Sequence, residues 1–299
     1  MDKKPLLILS LALLSNLTFA ADVADSVAPE LTSQINVKQS VTAKEFVVAA
    51  AHPLAVEAGY QVLKSGGSAA DALVTVQTVL GLVEPQSSGL GGGAFLVYYN
   101  AEKQQLTTYD GRETAPLTAR PELFQDENGE PLKFFDAVVG GRSVGTPGTV
   151  KLLADIHRRY GEQQWASLLK PAIDLARDGF EVSERLASSI ARDNERLSRY
   201  PDTKRYFFTE SGQPLQQGNL LKNAEYAQTL ELLAKEANKP SIVARSREIS
   251  SAKFKASRIT LVRWLLRILP LTKLLNEIQF VHPIVSIRYV AWDHQAPAH

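Results

Sequence analysis

The sequence predicts a globular domain of the mixed α/β (α+β) class, and three observations support this prediction. Apolar residues recur at helical spacing in residues 50–62 and again in 72–83. An apolar run at 94–99 and a second run at 105–109 flank a short polar turn, as in a β-hairpin. The chain has 299 residues, 44% hydrophobic and 22% charged, which is enough apolar material for one large domain or two small ones. A disordered or collagen-like chain is therefore excluded.

The composition also excludes several classes of function. Lys plus Arg total 33 against 32 for Asp plus Glu, so the formal net charge is +1 and we expect no nucleic-acid partner. Cys is absent, which excludes disulfides, thiolate nucleophiles and Cys-based zinc sites. The five His are scattered and form no HExxH motif, so a His-rich metal centre is not expected.

The first twenty residues have the pattern of a secretory signal peptide. Lys3 and Lys4 precede the apolar stretch 6–14, and Thr18-Phe19-Ala20 forms a small-x-small cleavage site. The apolar stretch is shorter than the roughly 20 residues that span a bilayer, so no stable membrane span is predicted. We expect cleavage after Ala20, a periplasmic location, and a flexible mature N-terminus over residues 21–40.

Two helices are predicted at the start of the folded region. The first covers the periodic apolar residues 50–62, with Pro53 in its first turn and Gly66-Gly67 as its stop signal. The second begins at Ser68, because Ser68-Ala-Ala-Asp71 is a capping pattern that precedes the apolar run 72–83.

A glycine-rich loop follows the second helix at residues 84–93, and the apolar run 94–99 after it is predicted to be a buried strand. Gly89-x-Gly91-x-x-Ala94 matches the dinucleotide-binding fingerprint in letters, but that fingerprint needs a strand before the loop and a helix after it. We therefore reject nucleotide binding. The alternative is that these glycines let two backbones approach closely where a Cβ would clash.

Arg112 is the candidate binding residue. It lies in Asp-Gly-Arg-Glu-Thr-Ala-Pro, residues 110–116, directly after the second strand. It could be a surface salt-bridge partner, or its planar guanidinium could hold a substrate carboxylate through two parallel hydrogen bonds. A second glycine-rich turn at 140–148 leads into a helix predicted at 149–160, then a helix containing Trp165 and another element at 171–178.

Five motifs in a fixed order resemble the large subunit of gamma-glutamyltransferases. They are AHPLA (51–55), GGSAADA (66–72), EPQSSGLGGG (84–93), DGRETAP (110–116) and VGTPG (144–148). The resemblance continues through PAI (171–173) and reaches about residue 237, so it covers the region that we assign as one unit, residues 41–240.

The resemblance implies an N-terminal-nucleophile hydrolase fold with four αββα layers, incomplete in this chain. Family members are precursors that cleave themselves into two subunits. The new N-terminal Thr of the small subunit attacks the gamma-glutamyl amide of glutathione, and its own α-amino group is the base. The glutamyl group then passes to water or to an amino-acid or peptide acceptor. By the same resemblance, Arg112 holds the substrate's α-carboxylate, and no metal or organic cofactor is needed.

The chain departs from this pattern at the nucleophile. Family members carry it in a Thr-Thr-His segment, whereas the only Thr-Thr pair in this sequence, Thr107-Thr108, precedes Tyr109 inside a predicted strand. We therefore assign no catalytic residue to this chain and expect the 299-residue polypeptide to be inactive. The alternative is a truncated, non-catalytic paralogue that binds gamma-glutamyl compounds or an intact partner subunit.

Residues 241–299 differ from the rest of the chain. They carry a net charge of +6, against −5 for residues 1–240, and contain none of the 18 glycines. Residues 259–275 could form a basic amphipathic helix, broken at Pro270, on an anionic membrane surface. A second interpretation fits better: with codons that these residues permit, one shift in reading frame allows family-like AFYSG to be read from 239–244 and PPSSG from 289–298. We therefore interpret 241–299 as an aberrant, frameshifted tail.

Overall fold

The computed structural model describes residues 40–116 and 119–235, together with the backbone of 289–290. The predicted signal peptide (1–20), nearly all of the predicted flexible N-terminus (21–40), and the tail (241–299) apart from 289–290 lie outside the described residues. The helices are α1 Pro53–Lys64, α2 Ala69–Val83, α3 Phe134–Val138, α4 Thr149–Tyr160, α5 Trp165–Asp178, α6 Glu184–Arg192, α7 Asn194–Leu197, α8 Pro201–Phe207 and α9 Ala224–Lys235. The strands are β1 Ala94–Asn100, β2 Gln105–Gly111, β3 Phe180–Glu181, β4 Leu220–Leu221 and β5 Tyr289–Val290. The mixture of helices and small sheets confirms the predicted class.

Helices α1 and α2 begin where the sequence predicts. Pro53 lies at the start of α1, and the Nδ1 atom of His52 accepts a hydrogen bond from the backbone N–H of Leu54 at 3.2 Å. At α2, Ser68 and Asp71 form the predicted capping box, in which each side chain accepts from the other residue's backbone N–H. The two helices pack closely: an added Cβ at Gly59 of α1 would lie 2.5 Å from a methyl group of Val76.

Strands β1 and β2 form the predicted antiparallel hairpin, with Ala94 opposite Gly111 and Asn100 opposite Gln105. One face of the hairpin packs on helices α2 and α4, where Tyr109 joins a cluster of buried residues. The other face is open, since Phe95, Val97 and Tyr99 are 66%, 64% and 59% exposed. The prediction of a buried strand was therefore wrong, because none of the described elements packs over that face of the hairpin.

The strands form two small sheets. In the first, the order is β1-β2-β5, and β5 pairs antiparallel with β2 through Thr108 and Tyr109. In the second, β3 pairs antiparallel with β4. Sheet pairing of 289–290 is the one structural feature described in the predicted tail.

The main core lies between helices α2, α5 and α9. The indole N–H of Trp165 in α5 donates to the carbonyl of Leu233 in α9 at 3.0 Å, which joins the two helices inside the core. Helix α5 runs without a break through Pro171, so the prediction of two separate elements was wrong. Pro171 cannot donate to the carbonyl of Ser167, but Ser167 is exposed and water can reach that carbonyl. The apolar stripe of α5 continues on both sides and keeps the helix on the core.

Among the residues described here, no helix combines the length and apolar character needed to cross a membrane.

Candidate functional site

Three glycine-containing segments meet where strand β2 ends. The carbonyl of Gly92, in the loop before β1, accepts hydrogen bonds from the backbone N–H groups of Gly148 and Thr149 at 3.0 and 3.2 Å. The segment after β2 is joined to the turn before α4 by two hydrogen bonds between the backbones of Thr114 and Thr146, at 3.2 and 2.7 Å. The motifs 84–93, 110–116 and 144–148, far apart in sequence, therefore build one site.

Close backbone approach explains some of the glycines at this site. An added Cβ at Gly93 would lie 2.6 Å from the Cα of Arg112, and one at Gly148 would overlap the carbonyl oxygen of Gly111. By contrast, an added Cβ at Gly89 or Gly91 would have no atom within 4 Å. The close-approach interpretation of the glycine loop is thus confirmed at Gly93 and does not account for Gly89 and Gly91.

The structure also bears on the rejected nucleotide site. Helix α2 precedes the glycine loop and strand β1 follows it, which is the reverse of the dinucleotide-binding order. No helix N-terminus follows this loop directly to receive a phosphate.

Arg112 lies immediately after β2, and its side chain is exposed. Its backbone N–H donates to Oδ1 of Asp110 at 3.0 Å, which fixes the turn locally. Within residues 40–116 and 119–235, the guanidinium makes no ion pair, so the structure gives no support to the salt-bridge interpretation. The arrangement offers an exposed cation on a fixed backbone turn, and such a cation can bind a carboxylate.

A tyrosine cluster supports the end of β2 from the packed face. The hydroxyl groups of Tyr109 and Tyr160 are 2.7 Å apart, and the ring of Tyr98 stacks on that of Tyr160 with centroids 4.2 Å apart. Burial and the hydrogen bond with Tyr160 raise the pKa of Tyr109 to about 12. Tyr109 therefore stays protonated at physiological pH and holds the strand that leads to Arg112.

A buried carboxylate lies at the other end of the glycine loop, and the sequence analysis missed it. The side chain of Glu84 is only 3% exposed; its Oε2 atom accepts from Nε2 of Gln86 at 2.6 Å and lies 3.4 Å from Nη1 of Arg185. Its partner Arg185, in α6, lies about 100 residues further along the chain, and no local sequence pattern predicts this contact.

The residues of a metal site are not assembled in the described part of the chain, where no group of three or more His, Asp or Glu side chains could hold an ion. Thr107 and Thr108 lie inside β2, as the sequence predicts.

Comparisons with known proteins give matches over most of the described residues. The family model "Gamma-glutamyltranspeptidase" matches residues 55–241. The chain is 40% identical over 196 residues to the glutathione hydrolase proenzyme of Bacillus subtilis (strain 168), which covers 66% of this chain and 33% of the relative. It is 35% identical over 225 residues to the glutathione hydrolase proenzyme of Escherichia coli (strain K12), covering 75% of this chain and 38% of the relative.

Solved structures give the same result. The fold is similar to that of gamma-glutamyltranspeptidase from Helicobacter pylori, with a TM-score of 0.63 and 30% sequence identity, over 70% of this chain and 62% of that chain. The chain spans about a third of the length of the two curated relatives above.

Proposed function

The chain belongs to the gamma-glutamyltranspeptidase family, and on this premise we propose that it is the glutamate-binding part of an enzyme that cleaves the gamma-glutamyl amide of glutathione. The enzyme passes the glutamyl group to water or to an amino-acid or peptide acceptor. One observation supports the assignment above all others. Arg112 is exposed, makes no ion pair within the described residues, and has its backbone where the three glycine-containing segments meet.

The role proposed for Arg112 is binding, not chemistry. A gamma-glutamyl substrate carries an α-carboxylate at a fixed distance from the amide that is cleaved. A guanidinium that binds this carboxylate with two parallel hydrogen bonds sets both the position and the orientation of the amide. It also favours acyl groups that carry the carboxylate, because only these form the charge-assisted hydrogen bonds with the guanidinium.

We propose that the open face of the β1–β2 hairpin is covered by a second sheet in the complete enzyme. Phe95, Val97 and Tyr99 form an apolar surface of the kind that stacked sheets bury between them at a spacing of about 10 Å. The covering sheet belongs to the small subunit of the same precursor, which completes the four αββα layers. The relatives are proenzymes by name, and this chain spans about a third of their length.

The nucleophile of the proposed reaction is absent from the 299 residues, which contain no Thr-Thr-His segment. The polypeptide by itself should therefore show no glutathione hydrolysis. The family match ends at residue 241, which supports the proposal that 241–299 is a frameshifted tail. The pattern of residues 1–20 supports export to the periplasm.

A matched pair of ligands tests the role of Arg112. L-glutamine and 4-aminobutanamide differ only in the α-carboxylate, and their binding to the chain can be followed by NMR titration. Hydrogen bonds to a charged group contribute about 1.5–3 kcal/mol, so L-glutamine should bind at least about tenfold more tightly.

Arg112→Gln should abolish the difference between the two ligands. Arg120→Gln, which removes another exposed arginine eight residues further along the chain, is the control and should leave the difference intact. Equal binding of the two ligands by the unaltered chain, or unchanged discrimination in R112Q, would overturn the proposed role.

A further inference from the structure

The glycine loop 84–93 is fixed at two ends that have different partners. At its far end, Gly92 accepts the N–H groups of Gly148 and Thr149, and Gly93 lies against Arg112. At its near end, the carbonyl of Glu84 accepts the N–H groups of Ser87 and Ser88, both at 3.0 Å, in a tight turn. Between the two ends, an added Cβ at Gly89 or Gly91 would meet no atom within 4 Å, whereas Leu90 packs against the main core.

The near end is held by side chains from two helices. Gln77 of α2 donates to the hydroxyl of Ser88 at 2.6 Å. Arg185 of α6 spans two residues of the turn, since its Nη2 donates to the hydroxyl of Ser87 at 3.1 Å while its Nη1 lies 3.4 Å from the carboxylate of Glu84. Arg185 thus joins the loop to α6, a helix that lies far from the loop in sequence.

Arg185 is placed for this task by the start of its own helix. Ser183 caps α6 by accepting from the backbone N–H of Leu186 at 3.1 Å, and Leu186 is buried in the core. Arg185 therefore projects from a first helical turn that is fixed by a cap and by core packing. Because Glu84 is buried, its negative charge needs a partner, and Arg185 provides a positive charge on the solvent side.

We propose that Arg185 is a positioning residue, which clamps the start of the glycine loop to α6 and thereby holds the backbone beside Arg112 in place. The link from clamp to site is the backbone of the loop, in which Leu90 packs against the core between Ser88 and Gly92. The inference rests on the proposed function only in taking Arg112 as the substrate-binding residue. The mechanical link between Arg185, the loop and the turn before α4 can be measured without any substrate.

Amide hydrogen exchange of the full chain tests the link. In Arg185→Met, the amides of Ser87 and Ser88 should exchange about tenfold faster relative to core amides of α5. The amides of Gly148 and Thr149 should also exchange faster, since their acceptor is Gly92. If Ser87 and Ser88 exchange at the original rate, Arg185 is no clamp. If the exchange rates of Ser87 and Ser88 rise while those of Gly148 and Thr149 do not, Arg185 does not influence the backbone at the site.

Two further variants keep the test decisive. Arg177→Met removes an arginine of similar exposure, 56% against 43%, whose ion pair with Glu231 lies on other elements, and it should leave all four amides unchanged. Arg185→Lys keeps one positive charge for Glu84 but cannot span Ser87 as well, so its exchange rates should be intermediate. Should R185M fail to fold, R185K decides, and original exchange rates in R185K would overturn the proposal.

Substrate binding supplies the last readout. L-glutamine should bind R185M about 3- to 10-fold more weakly than the unaltered chain and bind R177M unchanged. If the unaltered chain binds no L-glutamine, the proposed function fails while the exchange data still decide the clamp. If exchange rises in R185M and L-glutamine affinity stays the same, the loop does not position Arg112.

Discussion

Replacing Asp71 by alanine should lower the free energy of unfolding by about 3–5 kcal/mol, because this carboxylate serves two parts of the fold at once. Asp71 is fully buried. Its Oδ2 atom accepts from the backbone N–H and the hydroxyl of Ser68 at 2.8 and 3.1 Å, which caps α2. The same atom accepts from the backbone N–H groups of Glu162 and Gln163 at 2.9 and 3.2 Å, in the turn after α4.

The magnitude follows from the donors that lose their acceptor. Three backbone N–H groups are left behind, and each buried, unpaired N–H costs about 1–3 kcal/mol, reduced where water reaches it. For a domain of about 150–250 residues, 1 kcal/mol moves the melting temperature by about 2–4 °C, so Asp71→Ala should lower it by about 6–20 °C.

Chemical denaturation and calorimetry measure the effect of Asp71→Ala, and Ser68→Ala is the control. S68A removes one capping hydroxyl, which accepts from the N–H of Asp71 at 3.2 Å, and should cost about 1 kcal/mol. If D71A destabilises no more than S68A, the hydrogen bonds to Glu162 and Gln163 contribute nothing and the reasoning is refuted.

Three further predictions concern pH, the open sheet face and the glycine positions. Burial lowers the pKa of His52, whose ring accepts a hydrogen bond when neutral, so the unfolded state binds more protons and stability should fall as pH drops below about 7. The urea midpoint should therefore decrease between about pH 7 and 5. His52→Asn can still cap the helix and should make the urea midpoint less dependent on pH. Replacing both Phe95 and Val97 by Thr should reduce self-association of the chain, measured by sedimentation velocity. An unchanged sedimentation profile would show that the open face of the hairpin does not drive self-association. Gly148→Ala should lower the free energy of unfolding by more than about 2 kcal/mol, because the backbone atoms of Gly111 cannot yield to the added Cβ. Gly91→Ala should change it by no more than about 0.5 kcal/mol. Equal effects of the two substitutions would contradict the packing argument.

Local signals in the sequence predicted the parts of the fold that local chemistry determines. Pro53 and the Ser68–Asp71 capping pattern mark helix starts because their hydrogen bonds and dihedral angles are decided within one turn. The hairpin was predicted for the same reason, since its strands are joined by a short turn.

Long-range contacts were not predictable in this way. The second role of Asp71 depends on residues about 90 positions later, and the burial of Glu84 depends on Arg185, about 100 positions later. The exposure of Phe95 was also missed. A run of apolar residues shows which side chains a strand can bury, but it does not show whether another layer is present to cover them. At the site, the motif predicted Arg112, while only the fold shows which segments surround it.

The gene itself provides the most direct test of the central claim, that this chain is the large-subunit part of a gamma-glutamyl enzyme whose nucleophile is encoded in another frame. The measurement is to resequence from the codon of Leu230 to about a thousand bases past the stop and to read all frames. We predict that one shifted frame continues through Pro-Pro-Ser-Ser-Gly to a Thr-Thr-His segment. If no frame does so, residues 241–299 are genuine, the catalytic account fails for this protein, and a non-catalytic paralogue that binds gamma-glutamyl compounds or an intact partner becomes the leading explanation.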